Sequence, residues 1–179
     1  MKIKNIFGIL LLLTLLTSCK KESPHEIVEK TVLNANLLMA SYGSQYFQQL
    51  EALERSGNLM YLSKNGEMQP ATYSQYLKKV SIPEIENIIA EVEALQVDED
   101  SKPLIDSSLD LFKLCLDFYE TDYPKIVLMY DENKPRKKII DKVRKFEEEH
   151  YQAFEEKNAK LDEEAKKYAE NNGVKLKFV

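Results

Sequence analysis

The sequence predicts an all-α protein whose main domain, residues 24–179, folds as an antiparallel four-helix bundle with a broken second helix and a proline-kinked third helix. Apolar residues recur at three- and four-residue intervals over four long segments, which is the spacing of an amphipathic helix face. The connections between these segments are mostly short, and short connections favour antiparallel packing of neighbouring helices. Strand-like alternation is confined to the tail after residue 173.

Helix 1 is predicted from residue 24 to about residue 55. Ser23 can cap its first turn, and Glu26, three residues later, can complete a capping box. The helical spacing of apolar residues then continues as far as Leu53. Residues 57–72 have no periodic pattern, so they are predicted to form a long connection.

The remaining helices are separated by turn residues and prolines. Helix 2 is predicted over residues 73–95 with a break at Pro83, which cannot donate a helical hydrogen bond. Helix 3 is apolar on so many sides that it should lie at the bundle centre, and Pro124 either kinks it or ends it. Helix 4 follows from near Pro135 to a stop at Gly173.

The first 18 residues have the layout of an export signal, with Lys2 and Lys4 before the apolar stretch Ile6 to Leu16. Eleven helical residues cover about 16 Å, whereas a membrane span must cross roughly 30 Å of hydrocarbon. The stretch is therefore predicted to be a signal peptide and not a membrane span. Removing it takes away two lysines and no acid, so the formal net charge changes from −5 to −7, which does not suggest a nucleic-acid partner.

The signal ends in Leu16-Thr17-Ser18-Cys19, which resembles the lipobox of bacterial lipoproteins. The resemblance implies that the Cys19 thiol carries diacylglycerol and that residues 19–23 are a lipidated tether. It also implies two or three acyl chains, and two chains hold a protein stably on membrane lipid. The expected location is therefore the cell envelope, with the lipid anchor in the outer membrane.

The lipobox, the four-helix layout and the ending from Tyr168 to Leu176 together resemble the small helical-bundle lipoproteins of unknown function from Bacteroidota and spirochaetes. The resemblance implies a surface or periplasmic location and no assigned activity. It therefore gives an expected location and no reaction.

The candidate partner-binding surface is at the end of the bundle opposite the lipid. If helix 1 starts at the membrane and the helices alternate, residues 57–72 and the start of helix 4 share the far end. That end mixes apolar and cationic side chains, a combination suited to gripping a partner. The candidate partner-binding residues are Tyr61, Arg136, Lys137 and Lys138. The leading function is a non-enzymatic interaction module that binds an envelope protein or a glycan.

One alternative function is a small-molecule carrier with a cavity between the helices beside Pro124. Tyrosine is the main aromatic residue of the chain, with ten copies and no tryptophan, and a tyrosine ring can line a groove while its hydroxyl stays wet. The candidate groove residues are Tyr42, Tyr46, Tyr123 and Tyr130.

A weaker alternative is a metal-dependent enzyme built on Glu147 and His150, which have the Glu-x-x-His spacing of di-iron bundles. Such a site needs a second copy on another helix, and the only other histidine, His25, has Glu22 three residues before it, but Glu22 lies in the tether ahead of the first turn of helix 1. Cys115 lies in the most apolar helix, where burial keeps a thiol inert. The sequence therefore predicts no metal site, no cofactor and no catalytic residue.

Overall fold

A computed structural model describes residues 22–176, which are mostly helical with one small β-hairpin. In chain order the elements are α1 (Pro24–Val28), a π-helical turn (Glu29–Leu33), α2 (Asn34–Met39), α3 (Ser44–Arg55), β1 (Met60–Leu62), β2 (Met68–Pro70), α4 (Tyr73–Tyr76), a second π-helical turn (Leu77–Ser81), α5 (Ile82–Glu93), α6 (Lys102–Thr121), α7 (Tyr123–Asp131) and α8 (Arg136–Asn172). Predominant helix is therefore confirmed.

The start of helix 1 is confirmed, because Ser23 and Glu26 form the predicted capping box. The Glu26 amide donates to Ser23 Oγ at 3.3 Å, and the Ser23 amide donates to Glu26 Oε2 at 2.7 Å. These two bonds satisfy amide groups that have no partner within the first helical turn.

The prediction of one continuous helix 1 is wrong, since α2 ends at Met39 and α3 begins at Ser44. Gly43 has a φ of +53°, a backbone conformation that a helix cannot contain and that favours glycine. Apolar spacing continues on both sides of the break, and for that reason the sequence pattern does not reveal it.

Residues 57–72 also differ from the prediction, because they contain the β-hairpin. Strands β1 and β2 are antiparallel, with Met60 opposite Pro70 and Leu62 opposite Met68. Each strand has three residues, too few to show a recognisable alternation in the sequence.

Helix 2 is continuous rather than broken at Pro83. The π-helical turn Leu77–Ser81 leads directly into α5, and Pro83 lies in the first turn of α5. The structure also decides the role of Pro124, which lies in the first turn of α7, so that a new helix begins there after α6 ends at Thr121.

The long last helix is confirmed as α8, which ends at Gly173 with a φ of +64°. The central position of helix 3 is confirmed as well, since nine residues of α6 are buried. The hydrophobic core contains side chains from the first helix to the last. Val174 to Leu176 form no strand, and the rest of the tail lies outside the described residues.

Helices α6 and α8 run in opposite directions. Three contacts join α8 to α6 and its flanking residues. Asn171 of α8 bonds Asp100, just before α6, at 2.9 Å; Lys157 bonds Asp110 within α6 at 3.4 Å; and His150 lies 3.3 Å from Asp122, just after α6. Residue numbers therefore fall on one side as they rise on the other, which is an antiparallel register.

The same register defines two ends of the molecule. At one end, here called the proximal end, the Gln96 amide donates to Glu22 Oε2 at 3.3 Å, and Asp100 meets Asn171. The opposite or distal end holds the hairpin together with residues 131–136, where α7 ends and α8 begins. The 37 residues of α8 run between the two ends and cover about 55 Å.

Candidate functional site

The hairpin presents an apolar face to solvent at the distal end. Met60, Leu62, Met68 and Pro70 share one face, because paired residues and alternate residues of a strand point the same way. Leu62 is 65% exposed and Met68 is 57% exposed, and the two are directly opposite each other. Leu62, Met68 and Pro70 thus form an exposed apolar surface, while Met60 on the same face is partly covered.

Tyr61, a predicted partner-binding residue, lies on the other face of the hairpin. Its hydroxyl donates to Gln69 Oε1 at 2.9 Å, and the Lys79 ammonium is 3.5 Å from its ring centroid. These contacts place Tyr61 between the hairpin and the second helix, half-buried, and not on the exposed apolar face.

A groove between α3 and α8 is the second feature of the distal half. Its volume is about 670 Å³. It is lined by Ser44, Phe47, Gln48, Glu51 and Arg55 from α3, Tyr130 from α7, and Arg136, Ile140, Val143, Arg144 and Glu147 from α8. The lining residues of each long helix recur at intervals of three, four or one, so that each helix contributes one face.

The groove has an apolar floor and a cationic rim. Phe47 and Val143 are buried beneath it, whereas Ile140 is 54% exposed. The side chains of Arg55 and Arg136 are 66% and 69% exposed and stand at the distal mouth of the groove. Their guanidinium groups remain accessible to a ligand.

Glu51 organises the distal mouth of the groove. Its carboxylate lies 2.9 Å from Arg136 Nη2 and 3.8 Å from Arg55 Nη1, and it accepts a hydrogen bond of 3.0 Å from the Tyr130 hydroxyl. Burial, followed by the contact with Glu51, raises the pKa of Tyr130 above its usual value of 10, so Tyr130 stays a neutral donor.

A neighbouring cavity of about 370 Å³ extends the groove toward the distal end. Both cavities are lined by Glu51, Arg55, Tyr130 and Arg136. Residues that line only the second cavity include Tyr73, Asn133, Lys134 and Ile139. Tyr73 stacks on Tyr130 with ring centroids 4.7 Å apart. The two cavities are therefore parts of one trough.

Of the three predicted cationic residues, only Arg136 lines the groove. The Lys137 side chain is 87% exposed and pairs with Asp141 on the outer face of α8 at 3.1 Å. Lys138 is exposed as well, and neither lysine is among the groove residues.

The four tyrosines of the predicted groove do not line one common space. Tyr123 is fully buried, and Tyr46 stacks on it with ring centroids 5.0 Å apart. Tyr42 stacks on Phe154 at 4.1 Å. Tyr46 and Tyr123 belong to the core, Tyr42 packs against it, and only Tyr130 lines the α3–α8 groove, while Tyr46 borders a separate cavity of about 250 Å³.

Two core tyrosines bind the backbone at the break in the first helix. The Gly43 amide donates to Tyr123 Oη at 2.7 Å, and the Tyr119 hydroxyl donates to the Ser41 carbonyl at 3.0 Å. A break leaves backbone groups without helical partners, and a buried group without a partner is costly. The tyrosine hydroxyls supply those partners.

Glu147 and His150 do not converge on a common point. Glu147 Oε1 accepts the Ser44 amide at 2.7 Å, whereas His150 Nε2 lies 3.3 Å from Asp122 Oδ2. Although its partial burial opposes ionisation, Asp122 has a lowered pKa because Lys125 and His150 stabilise its charge. Between residues 22 and 176, no group of three or more acidic, histidine or cysteine side chains is placed to hold a metal.

Cys115 is buried in α6, and this burial raises the pKa of its thiol to about 12. A thiol with this pKa is almost entirely protonated at neutral pH and is a poor nucleophile. Cys19, the predicted lipidation site, lies outside the described residues.

Comparison of the chain with protein-family models, with curated proteins and with solved structures gives no match. Within residues 22–176, no helix is both long enough and apolar enough to cross a membrane.

Sequence reasoning missed most of the groove residues, among them Phe47, Glu51, Ile140 and Arg144. The available signal was the spacing of three and four residues that they share along α3 and α8. It was hard to recognise because each stripe mixes apolar residues with polar and charged ones, unlike the uniformly apolar stripe of a core-facing helix.

Proposed function

We propose that the protein is a lipid-anchored envelope lipoprotein that acts as a non-enzymatic interaction module. Acylated Cys19 attaches it to membrane lipid, in the outer membrane, and the distal end binds an envelope protein. The apolar hairpin face favours a protein over a glycan as the partner, because large exposed apolar surfaces characterise protein interfaces.

We infer an antiparallel four-helix bundle in which α1 to α3 form the first helix, α4 and α5 the second, α6 and α7 the third, and α8 the fourth. The antiparallel contacts of α8 support this arrangement. In such a bundle, the chain leaves the tether at one end and presents the hairpin at the other.

The position of Glu22 connects the anchor to the fold. Only two residues, Lys20 and Lys21, separate Cys19 from Glu22, and the three steps along the chain span about 10 Å when extended. Since Glu22 contacts Gln96 at the proximal end, an acyl anchor on Cys19 keeps that end next to the membrane. The distal end then points away from the lipid.

The observation that carries the proposed function is the exposed apolar pair Leu62 and Met68. Each is more than half exposed, and they face each other across a hairpin that projects at the distal end. Burying such a pair against a partner removes apolar surface from water and stabilises the complex.

Site-specific photo-crosslinking in intact cells tests the interaction. A crosslinking side chain at Leu62 is expected to give one discrete protein adduct, which is lost when Met68→Glu places a charge opposite it. The matched control is the same group at Glu156, an exposed position on α8 away from the hairpin. The same adduct from both positions, or an adduct that survives Met68→Glu, would contradict the proposed function.

A separate experiment tests the anchor. Cells that express the chain are grown with radiolabelled palmitate, and the label is expected on the wild-type protein but not on Cys19→Ser. Cys115→Ser is the matched control and should keep the label, because the Cys115 thiol is buried. Label on Cys19→Ser would rule out Cys19 as the acylated residue.

A further inference from the structure

We propose that the groove between α3 and α8 binds a long-chain carboxylate, with the hydrocarbon chain along the groove floor and the carboxylate at Arg55 and Arg136. This inference goes beyond the proposed function, because it assigns a small-molecule ligand to a site apart from the hairpin. It depends neither on lipidation of Cys19 nor on a protein partner.

The size of the groove fits a single hydrocarbon chain. Its volume of about 670 Å³ lies within the roughly 300–1,000 Å³ range of small-molecule sites. From Arg136 to Glu147 the helix advances 11 residues, or about 16 Å. At standard bond lengths an extended chain advances about 1.3 Å per carbon, so roughly twelve carbons fit this length.

The groove floor provides apolar contacts for that chain. Phe47 and Val143 form the base, and Ile140 stands 54% exposed at the side. A hydrocarbon chain laid over these residues covers the exposed surface of Ile140, and removal of apolar surface from water favours binding. A purely polar anion would leave the surface of Ile140 uncovered.

The distal mouth provides donors for a carboxylate. Glu51 already holds the guanidinium groups of Arg55 and Arg136 close together, with Arg136 Nη2 at 2.9 Å and Arg55 Nη1 at 3.8 Å from the same carboxylate oxygen. A guanidinium group has five N–H donors, and bidentate pairing with a carboxylate is its preferred geometry. Donors therefore remain on both arginines for an incoming anion.

The charge balance of the trough favours an anion over a cation. Four cationic side chains line its two cavities, namely Arg55, Lys134, Arg136 and Arg144. The acids that line the same cavities are Glu51, Glu54 and Glu147. Glu147 accepts a hydrogen bond from the Ser44 amide, and Glu51 accepts one from Tyr130. Lys134 pairs with Glu132 at 3.2 Å and Arg144 with Asp141 at 3.4 Å, whereas the two guanidinium groups of Arg55 and Arg136 share the single carboxylate of Glu51 at the distal mouth.

Isothermal titration with three probes of equal chain length tests the proposal on the full chain carrying Cys19→Ser. The probes are dodecanoate, dodecanol and dodecyltrimethylammonium, each kept below its micelle concentration. Dodecanoate is expected to bind at least tenfold more tightly than dodecanol, and the cation more weakly than dodecanol. Equal affinity for all three probes would overturn the proposal.

Three variants locate the binding in the groove. Arg136→Gln should weaken dodecanoate binding about tenfold and leave dodecanol unchanged, because a charge-assisted bond is lost. Ile140→Glu should abolish binding of dodecanoate, since it places a negative charge beside the chain. Lys138→Gln, on the same helix but outside the groove, should change nothing.

The variants remain informative about folding, because Arg136, Lys138 and Ile140 are all exposed and circular dichroism can verify an unchanged helical content. Dodecanoate binding that survives Ile140→Glu would place the ligand elsewhere, for example in the cavity of about 250 Å³ beside Tyr46, and would overturn the proposal. Failure of this titration leaves the crosslinking result at Leu62 unaffected, so the two proposals fail separately.

Discussion

Gly43 shows how one residue determines the course of the first helix. Its φ of +53° is accessible to glycine at no steric cost, and its missing side chain leaves room for Glu147. A Cβ at this position would lie 2.8 Å from Glu147 Cγ, closer than two carbon atoms can pack. The break therefore needs glycine at position 43, both for the positive φ and because the Glu147 side chain occupies the space of a Cβ.

Gly43→Ala is expected to destabilise the protein by about 2–4 kcal/mol, because the substitution adds both backbone strain and a clash. Urea denaturation followed by circular dichroism measures this free energy of unfolding. Gly57→Ala is the matched control, since Gly57 also has a positive φ but no atom within 4 Å of the added Cβ. It should cost only about 1 kcal/mol, and equal losses for the two variants would contradict the role of Glu147.

Cys115 allows a test of core burial at the residue scale. With a pKa raised to about 12 by burial, the thiol should not react with Ellman's reagent at pH 8 in the folded protein. The measurement uses Cys19→Ser, in which Cys115 is the only thiol. Rapid reaction without denaturant would show that the core around α6 is open, whereas full reaction is expected in 6 M guanidinium chloride.

Side chains from α6, α7 and α8 hold the first helix of the bundle, α1 to α3, in its broken form. Tyr119, Tyr123 and Glu147 each bind a backbone group between residues 41 and 44. All three lie far along the chain, so local sequence around the break contains no sign of them. The break therefore depends both on tertiary contacts and on the positive φ that Gly43 can adopt.

Tyr123→Phe is expected to destabilise the fold by roughly 1–3 kcal/mol, because the Gly43 amide loses its acceptor in a buried place. Thermal or urea unfolding measures the loss. Tyr151→Phe is the control, since Tyr151 is 58% exposed on α8, and its change should be within about 0.5 kcal/mol. Unchanged stability in Tyr123→Phe would mean that water replaces the hydroxyl.

An element can be predicted from the sequence when the residues that determine it are close together in the chain. The capping box at Ser23 and the end of α8 at Gly173 depend on neighbours within one turn, and both were predicted. The hairpin at Met60 was missed because each of its strands has only three residues, and the π-helical turn before Pro83 was missed because the sequence shows only ordinary helical spacing there. The groove was missed because only the approach of α3 to α8 brings Glu51 to Arg136.

At the scale of the whole molecule, the buried tyrosines couple stability to alkaline pH. Burial raises the pKa of Tyr42 to about 12, and it also raises the pKa of Tyr46, Tyr119 and Tyr123. These groups must stay protonated in the core, whereas in the unfolded chain they ionise near pH 10. Their contribution to stability is complete below pH 10 and is lost as the pH rises toward the folded-state values.

The urea midpoint is therefore expected to fall steeply between pH 10 and 12, in parallel with the tyrosinate absorbance at 295 nm. Tyr46→Phe should shift the fall to higher pH, because one buried hydroxyl that ionises in the unfolded state is removed. A midpoint that is constant up to pH 12 would contradict the burial of these rings.

The bundle is expected to stand on the membrane through its proximal end, with the hairpin and the groove mouth directed away from the lipid. Energy transfer from a fluorophore on the lipidated protein to an acceptor in the bilayer measures this orientation. A fluorophore at Asp100 should show strong transfer, and one at Gly66, in the hairpin turn near the opposite end of a helix about 55 Å long, should show little. Equal transfer from both positions, or stronger transfer from Gly66, would contradict this orientation.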